Sequence, residues 1–329
     1  MINQSKKIGN CLFYSPITLE NDKYQLFNRI NGKHFKVGKA VINFLEGYYS
    51  SKKDSTTLSE EQKYVIHRLT NLGILTFNAP SNSLFKKMIY DYCPVNLNFS
   101  FQSLKKINFI WNIIVLITFL TSIVLLSLNF NHVQKNFIFP NIHNIFLYLI
   151  FGYLINFLGT ILHEGSHFLS ALVNKVYVPR IGLMIYYFSF AGFVDITGVR
   201  FTNNNVLAKV SLSGSKANIF LGSLGIVLLI IINAKSYFLS VLIIISVLTL
   251  LSNMNIFLKL DGYYALESLL DETFIREKSI SLIGHLSKNN LQDFKTVTLT
   301  IMGILSVITV LCTFLLLFSV ILNSFGITI

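Results

Sequence analysis

The chain has 329 residues, 53% of them hydrophobic and 13% charged, a composition typical of a membrane protein and not of a soluble globular one. Its three cysteines, at positions 11, 93 and 312, are too few and too widely spaced for a disulfide framework or a cysteine zinc site. The net charge of +12 predicts attraction to an anionic lipid bilayer. The basic residues form no arginine-rich stripe and none interleaved with aromatic residues, so we expect no nucleic-acid partner.

The first hundred residues form a polar head that contains no long apolar run, so we expect no cleavable signal peptide. Apolar and polar residues alternate loosely on both sides of Asn31-Gly32, a pair that supplies a tight turn and predicts a β-hairpin. Apolar residues then recur at helical spacing over 40–48. His34 and His67 are expected to be ordinary surface or half-buried residues, and nothing catalytic is expected in the head.

A second helix is predicted to begin at Ser59, because Ser59 and Gln62 have the spacing of a capping box. Residues 73–75 close that helix and are expected to form a short return strand. The order of hairpin, helix, loop, helix and strand is winged-helix-like, and we assign this α+β domain to residues 1–85. The simpler alternative is a generic docking domain. A lysine-flanked linker over 86–107 leads from it into the bilayer.

Five apolar runs are long enough to cross a membrane as helices. They cover about residues 109–128, 145–161 (continuing as helix towards 173), 217–232, 238–257 and 297–322. Between the second and third runs lies the segment 176–196, which is rich in aromatic and β-branched residues but contains Pro179, Arg180 and Asp195. We interpret it as a β-hairpin at the membrane surface or a re-entrant element. The expected fold class is a polytopic α-helical membrane protein, with about five to six transmembrane helices, plus the small α+β head.

Lysine and arginine are concentrated before the first span, between the second and third spans, and after the fourth. Positive-inside bias places these loops and the head in the cytoplasm and the C-terminus outside. The C-terminal ends of the second and fourth spans then lie on the cytoplasmic side. We therefore predict that this chain is a multi-pass membrane protein with a cytoplasmic N-terminus.

The most specific motif is His163-Glu164-Gly165-Ser166-His167, near the end of the second apolar run. On a helix the two histidines lie on one face, one turn apart, where both can ligate the same zinc ion. Glu164 points about 100° round the helix and is close enough to act as a general base. Ionisable side chains are costly in lipid and are therefore functional candidates. The alternative is a pair of partly buried histidines that cap a transmembrane helix.

A catalytic zinc ion normally takes a third protein ligand, and Asp261 is the candidate. It lies at the cytoplasmic end of the fourth span, at about the predicted depth of the two histidines, and Gly262 beside it lets the backbone turn. Alone, Asp261 is better explained as a helix-end or interfacial carboxylate. Asn253 and Asn255 are candidates to bind a substrate carbonyl through their amides, or else to cap a broken helix.

Together with the histidine motif, Ser213–Asn218 and Lys259–Tyr264 resemble the motifs of the site-2 protease family of intramembrane zinc metalloproteases. The resemblance covers roughly residues 140–270 and implies a metalloprotease domain over 108–329. The family usually has a proline after the second motif asparagine, where this chain has Ile256. The missing proline affects the expectation that the helix breaks here more than the expectation that a metal is bound.

This resemblance implies that His163, His167 and Asp261 hold a Zn²⁺ cofactor and that Glu164 is the catalytic base. The Lys-Leu-Asp-Gly-Tyr-Tyr motif is most similar to that of members linked to bacterial peptide maturation, and the head resembles small PqqD-like peptide-recognition domains. The implied protein is a zinc endopeptidase of the bacterial plasma membrane. Its implied substrate is a membrane-anchored protein or peptide, such as a ribosomally made precursor.

Two alternatives stay open. The chain could be a non-catalytic membrane component that binds or exports a peptide and keeps zinc for structure. It could also be a regulatory protease that cuts a membrane-anchored anti-sigma factor, although the spans leave no room for a PDZ-like insertion.

Overall fold

The chain divides into two compact units, residues 1–113 with 160–206, and residues 114–159 with 207–329. The computed structural model describes residues 6–8, 12–17, 22–50, 59–75, 86–92, 100–138, 145–186, 189–272, 275–284 and five single positions between 301 and 308. The strands in these ranges are β1 (Lys6–Ile8), β2 (Leu12–Pro16), β3 (Lys23–Asn28), β4 (Lys33–Gly38), β5 (Lys86–Tyr92), β6 (Ile181–Tyr186) and β7 (Ser189–Val194). The α-helices are α1 (Lys39–Ser50), α2 (Glu60–Asn71), α3 (Phe101–Leu128), α4 (Phe130–Asn136), α5 (Ile145–Val173), α6 (Asn204–Ser211), α7 (Ser213–Ile232), α8 (Tyr237–Asn253), α9 (Asp261–Leu269) and α10 (Ile275–Gly284).

The head lies in the first unit and consists of a four-stranded antiparallel sheet followed by two helices. Strands β1 to β4 pair in chain order. The hairpin predicted at Asn31-Gly32 is confirmed as the β3–β4 pair. The capping box predicted at Ser59 and Gln62 is present at the start of α2, with both reciprocal hydrogen bonds. The winged-helix-like and PqqD-like resemblance of this α+β head stays a prediction.

The return strand predicted over 73–75 is not formed. Gly73 has a φ of +85°, a left-handed conformation that turns the chain where α2 ends. The backbone N–H groups of Ile74 and Leu75 both donate to the carbonyl of Leu69, at 2.9 and 3.3 Å. Because the helix end uses these donors, they are not available to pair with a strand.

One face of the head sheet packs against the two head helices. Leu12, Leu26 and Val37 point to this face and form the core of the head with Ile42 and Leu45 of α1. Successive side chains of a strand point to opposite faces, so this core accounts for only half of the strand residues. Part of the other face is also buried, at Phe13, Gln25 and Phe27.

A second sheet, also in the first unit, has the strand order β5-β6-β7. Strands β6 and β7 pair antiparallel, so the hairpin interpretation of residues 176–196 is confirmed. The partner of β6 on its other side is β5, which lies within the segment 86–107 that we assigned to a linker.

The opposite face of the head sheet packs against the chain that follows α5. Phe13 and Phe27 are neighbours across β2 and β3, and both are buried against Tyr177. The guanidinium of Arg180 stacks over the ring of Phe27, 5.1 Å from its centre. Head and β6–β7 hairpin are thus joined through residues 177–199 within one compact unit.

The described residues of the second unit form helices and turns, and α7 packs closely against α8. A Cβ added at Gly225 of α7 would lie only 2.8 Å from Cγ1 of Ile243 on α8. Small residues let membrane helices approach closely in this way. A Cβ added at Gly152 of α5 would lie 3.9 Å from Cγ1 of Val241, and one added at Gly159 would lie 3.6 Å from Cδ1 of Leu221, so these two glycines also lie at helix contacts.

Three helical segments of the described residues are long and apolar enough to cross a membrane: Phe101–Leu128, Ile145–Val173 and Asn204–Ile232. These are fewer than the five to six that we predicted. The predicted fourth span becomes α8, a shorter apolar helix of 17 residues, about 26 Å long at 1.5 Å per residue. The predicted fifth span, 297–322, lies outside the described residues except for a few single positions.

Candidate metal centre

The two motif histidines lie one turn apart on α5, as predicted. The Nε2 atoms of His163 and His167 are 3.1 Å apart, and their rings meet edge to face at an interplanar angle of 78°. Both side chains are buried. With zinc–nitrogen bonds of about 2.1 Å, two ligands of a tetrahedral ion lie about 3.4 Å apart. The histidine pair therefore has nearly the spacing that a shared metal ion needs.

Glu164 is held by the β6–β7 hairpin. Its Oε2 atom accepts a hydrogen bond of 2.9 Å from the backbone N–H of Val194, the last residue of β7. Strand β7 also packs closely on α5 here, since a Cβ added at Gly192 would lie 3.6 Å from Cγ of Glu164 and 3.7 Å from Cα of Ile161. The hairpin thus orients the carboxylate that sequence analysis identifies as the base.

An apolar cavity of about 700 Å³ opens beside this carboxylate, between α5 and the hairpin. Its apolar wall comes from Ile161, Phe168, Ile181, Leu183, Phe193 and Val194. Glu164 also lines the cavity and provides a carboxylate in its otherwise apolar lining. A space of this size and character suits a bulky apolar group better than a charged one.

Asp261 is the first residue of α9, where the helix dipole favours a negative charge. The helix ends at Asn253 and the next helix begins at Asp261, so a break forms here with Ile256, and no proline, after Asn255. Gly262 makes the break compact, because a Cβ added there would lie 2.5 Å from the carbonyl oxygen of Met254. A residue larger than glycine does not fit at this position.

His163, His167 and Asp261 form a group in which each residue offers one ligand atom for a metal ion. Two imidazole nitrogens and one carboxylate oxygen are a donor set that could hold a metal ion.

The two asparagines that we assigned to substrate binding lie at the end of α8. Oδ1 of Asn255 accepts a hydrogen bond of 2.8 Å from the backbone N–H of Phe257, which stabilises the turn after the helix. Asn253 is the last residue of the helix. The capping alternative therefore describes Asn255, and a substrate contact by either residue stays a prediction.

Sequence reasoning missed a buried ionic cluster in the first unit. The side chain of His34, which was expected to be an ordinary surface or half-buried residue, is only 4% exposed. Its Nε2 atom lies 3.0 Å from Oδ1 of Asp195, whose side chain is 8% exposed. Arg180 Nη2 donates to Oδ2 of Asp195 at 3.1 Å. Burial acts to raise the pKa of Asp195, but the hydrogen bond from His34 and the nearby positive charge outweigh it and lower that pKa to about 2.

A signal for this cluster was present in the strands. In β3, Leu26 and Phe27 are adjacent and both apolar, so one of them must face each side of the sheet. His34 pairs with Phe27 and therefore belongs to the second face. A strand that is apolar on both faces predicts that both are covered, and that a histidine there is buried.

No protein-family model matches the chain, and no curated protein or solved structure matches it with significance.

Proposed function

We propose that the protein is an intramembrane zinc metalloprotease. The observation that carries this proposal is the pair of histidine nitrogens, 3.1 Å apart on an apolar helix, with Glu164 on the next position of the same turn. Polar groups of this kind are costly inside a bilayer, and the need for a reactive centre there accounts for them. The motif resemblance to site-2 proteases supports the same conclusion.

Zinc is the metal that best suits the donors. Two histidines and one carboxylate are the ligands of many catalytic zinc sites, which keep a fourth position open for water or substrate. His163, His167 and Asp261 would hold the ion. When bound, zinc polarises a carbonyl oxygen and makes water acidic enough to lose a proton near neutral pH.

In this proposal Glu164 moves the proton. Its carboxylate accepts a proton from the water that attacks the peptide carbonyl, and then donates that proton to the nitrogen of the leaving amine. The hydrogen bond from Val194 fixes one oxygen of the carboxylate and so limits its rotation. An oriented base needs less reorganisation to reach the transition state.

The substrate is inferred from the surroundings of Glu164. The apolar cavity fits a bulky apolar segment of a membrane-associated peptide, such as a ribosomally made precursor. The head, which we place on the cytoplasmic side of a bacterial plasma membrane from the distribution of lysine and arginine, would capture the peptide and present its apolar part.

Co-expression with candidate precursor peptides, followed by mass spectrometry, tests the proposal. We expect the wild type to cut a precursor at one position and Glu164→Gln to leave it intact while keeping its metal. Glu60→Gln, which changes an exposed glutamate of α2, is the matched control and should cut normally. A wild type that holds zinc and binds the peptide without cutting it would favour the alternative of a binding or export component.

A further inference from the structure

We propose that Asp195 is a positioning residue for Glu164, and that the head holds Asp195 in place through His34. This inference rests on the proposed role of Glu164 as the base. It gives the head a second task beyond peptide capture, because the head then helps to build the site.

The first step is the neighbourhood of Val194 and Asp195 in the chain. The backbone N–H of Val194 donates to Glu164, and the next residue is Asp195. Strand β7 ends at Val194, so the sheet no longer fixes the chain beyond that point. Val194 is paired with Ile181 at the very end of the sheet, so the position of its amide depends on this last pair and on what holds the next residue, Asp195.

The backbone N–H of Asp195 and both oxygens of its carboxylate have hydrogen-bond partners. Its backbone N–H donates to the carbonyl of Arg180 at 2.8 Å. Its carboxylate accepts from Nε2 of His34 at 3.0 and 3.1 Å, from Nη2 of Arg180 at 3.1 Å, and from the N–H of Thr197 at 3.3 Å. A buried carboxylate with this many donors has one preferred position, since any other leaves a charge without compensation.

His34 in turn is held by the head sheet. It lies on β4 opposite Phe27, and their rings are 4.8 Å apart. Its Nδ1 atom is 2.9 Å from Nε2 of Gln25 on β3. Two neighbouring strands therefore fix the ring, and its Nε2–H is aimed at Asp195, because an ionised carboxylate can only accept a hydrogen bond.

These contacts form a continuous route from the head sheet through His34 and Asp195 to the amide that orients Glu164. Loss of the contact between His34 and Asp195 should therefore slow catalysis and leave peptide capture unchanged. A merely structural ion pair would instead lower overall stability and leave the turnover rate of the folded protein unchanged.

Two substitutions at His34 distinguish a positioning role from a merely structural one. Both introduce a side-chain amide, so they are similar in polarity. In His34→Gln the side-chain amide reaches the position of Nε2 and can still donate to Asp195. In His34→Asn the amide reaches only the position of Nδ1 and cannot. His67→Asn changes an exposed histidine of α2 that contacts Asn71, and serves as the matched control.

Amide hydrogen exchange on the full-length protein in detergent gives a readout that needs no cleavage. We expect the exchange of the Val194 amide to rise about tenfold or more in His34→Asn, since one hydrogen bond to a buried charge is lost, and to stay near the wild-type rate in His34→Gln and His67→Asn. On a cleaved peptide, we expect kcat to fall about tenfold in His34→Asn with KM unchanged.

Wild-type exchange at Val194 in His34→Asn would overturn the inference, as would an unchanged kcat in a protein that cuts its peptide. A wild type that cuts nothing would instead remove the proposed function, and the exchange rates would still decide whether His34 fixes the Val194 amide.

Discussion

The backbone N–H of Val194 donates to the carboxylate of Glu164 at 2.9 Å, so the last residue of a β-hairpin orients the central acid of a histidine motif on a membrane-type helix. Residues 164 and 194 are separated by a helix end, a connecting segment and two strands. The hairpin is thus part of the candidate site and not only a surface element.

Gly192 sets the distance between β7 and α5. An alanine Cβ at this position would meet Cγ of Glu164 at 3.6 Å, an ordinary contact, so Gly192→Ala should keep most of the activity. Gly192→Leu places further carbons where Glu164 lies and should push β7 away, with at least a tenfold loss of kcat, or about 1.4 kcal/mol. Kinetics on a cleaved peptide checks this, and equal activity of the two variants would contradict the packing.

Gly262 has no room for a side chain. A Cβ there would lie 2.5 Å from the carbonyl oxygen of Met254, and a backbone atom cannot rotate away. Gly262→Ala should lower the free energy of unfolding by about 1–3 kcal/mol and weaken zinc binding, because Asp261 shifts with its neighbour. Gly47→Ala, on an exposed part of α1 with nothing within 4 Å, is the control and should not destabilise. Thermal unfolding and zinc content measure both effects.

Asp195 should make stability depend on pH in the acid range. Its pKa is lowered in the folded protein from an ordinary value of 3.8 to about 2. The folded state is therefore favoured above about pH 4, by about 2 kcal/mol, and this contribution is lost as pH falls from about 4 to 2. Unfolding midpoints of detergent-solubilised protein between pH 2 and 6 should show a steeper acid loss in the wild type than in Asp195→Asn. Parallel curves would show that Asp195 is not the group responsible.

The metal should depend on three side chains. The affinity for zinc should fall at least tenfold in each of His163→Ala, His167→Ala and Asp261→Ala, because each substitution removes one ligand atom of the group. A strong chelator should remove zinc from the wild type and stop cleavage, and added zinc should restore it. Full zinc binding by Asp261→Ala would exclude this residue as the third ligand.

Local patterns in the sequence predicted much of this arrangement. The spacing of His163 and His167 follows from 3.6 residues per helical turn, and the turn at Asn31-Gly32 follows from the conformations that these two residues favour. Such features depend on residues close together in the chain. They are therefore visible without a fold.

Other features depend on residues far apart in the chain. His34 and Asp195 are 161 positions apart, and only the packing of residues 177–199 on the second face of the head sheet brings them together. The missing strand at 73–75 shows a different limit, because the hydrogen bonds at the end of α2 outweighed a pattern of apolar residues. The break after α8 forms with Ile256 in place of proline because Asn255 and Gly262 allow the turn.

We propose that a metal held by His163, His167 and Asp261 works with Glu164 as the base. The most direct test measures zinc content and peptide cleavage on the same purified preparations of wild type and Glu164→Gln. We predict about one zinc ion per chain in both proteins and cleavage by the wild type alone. Cleavage by Glu164→Gln at the wild-type rate, or by a wild type that contains no metal, would rule out this mechanism.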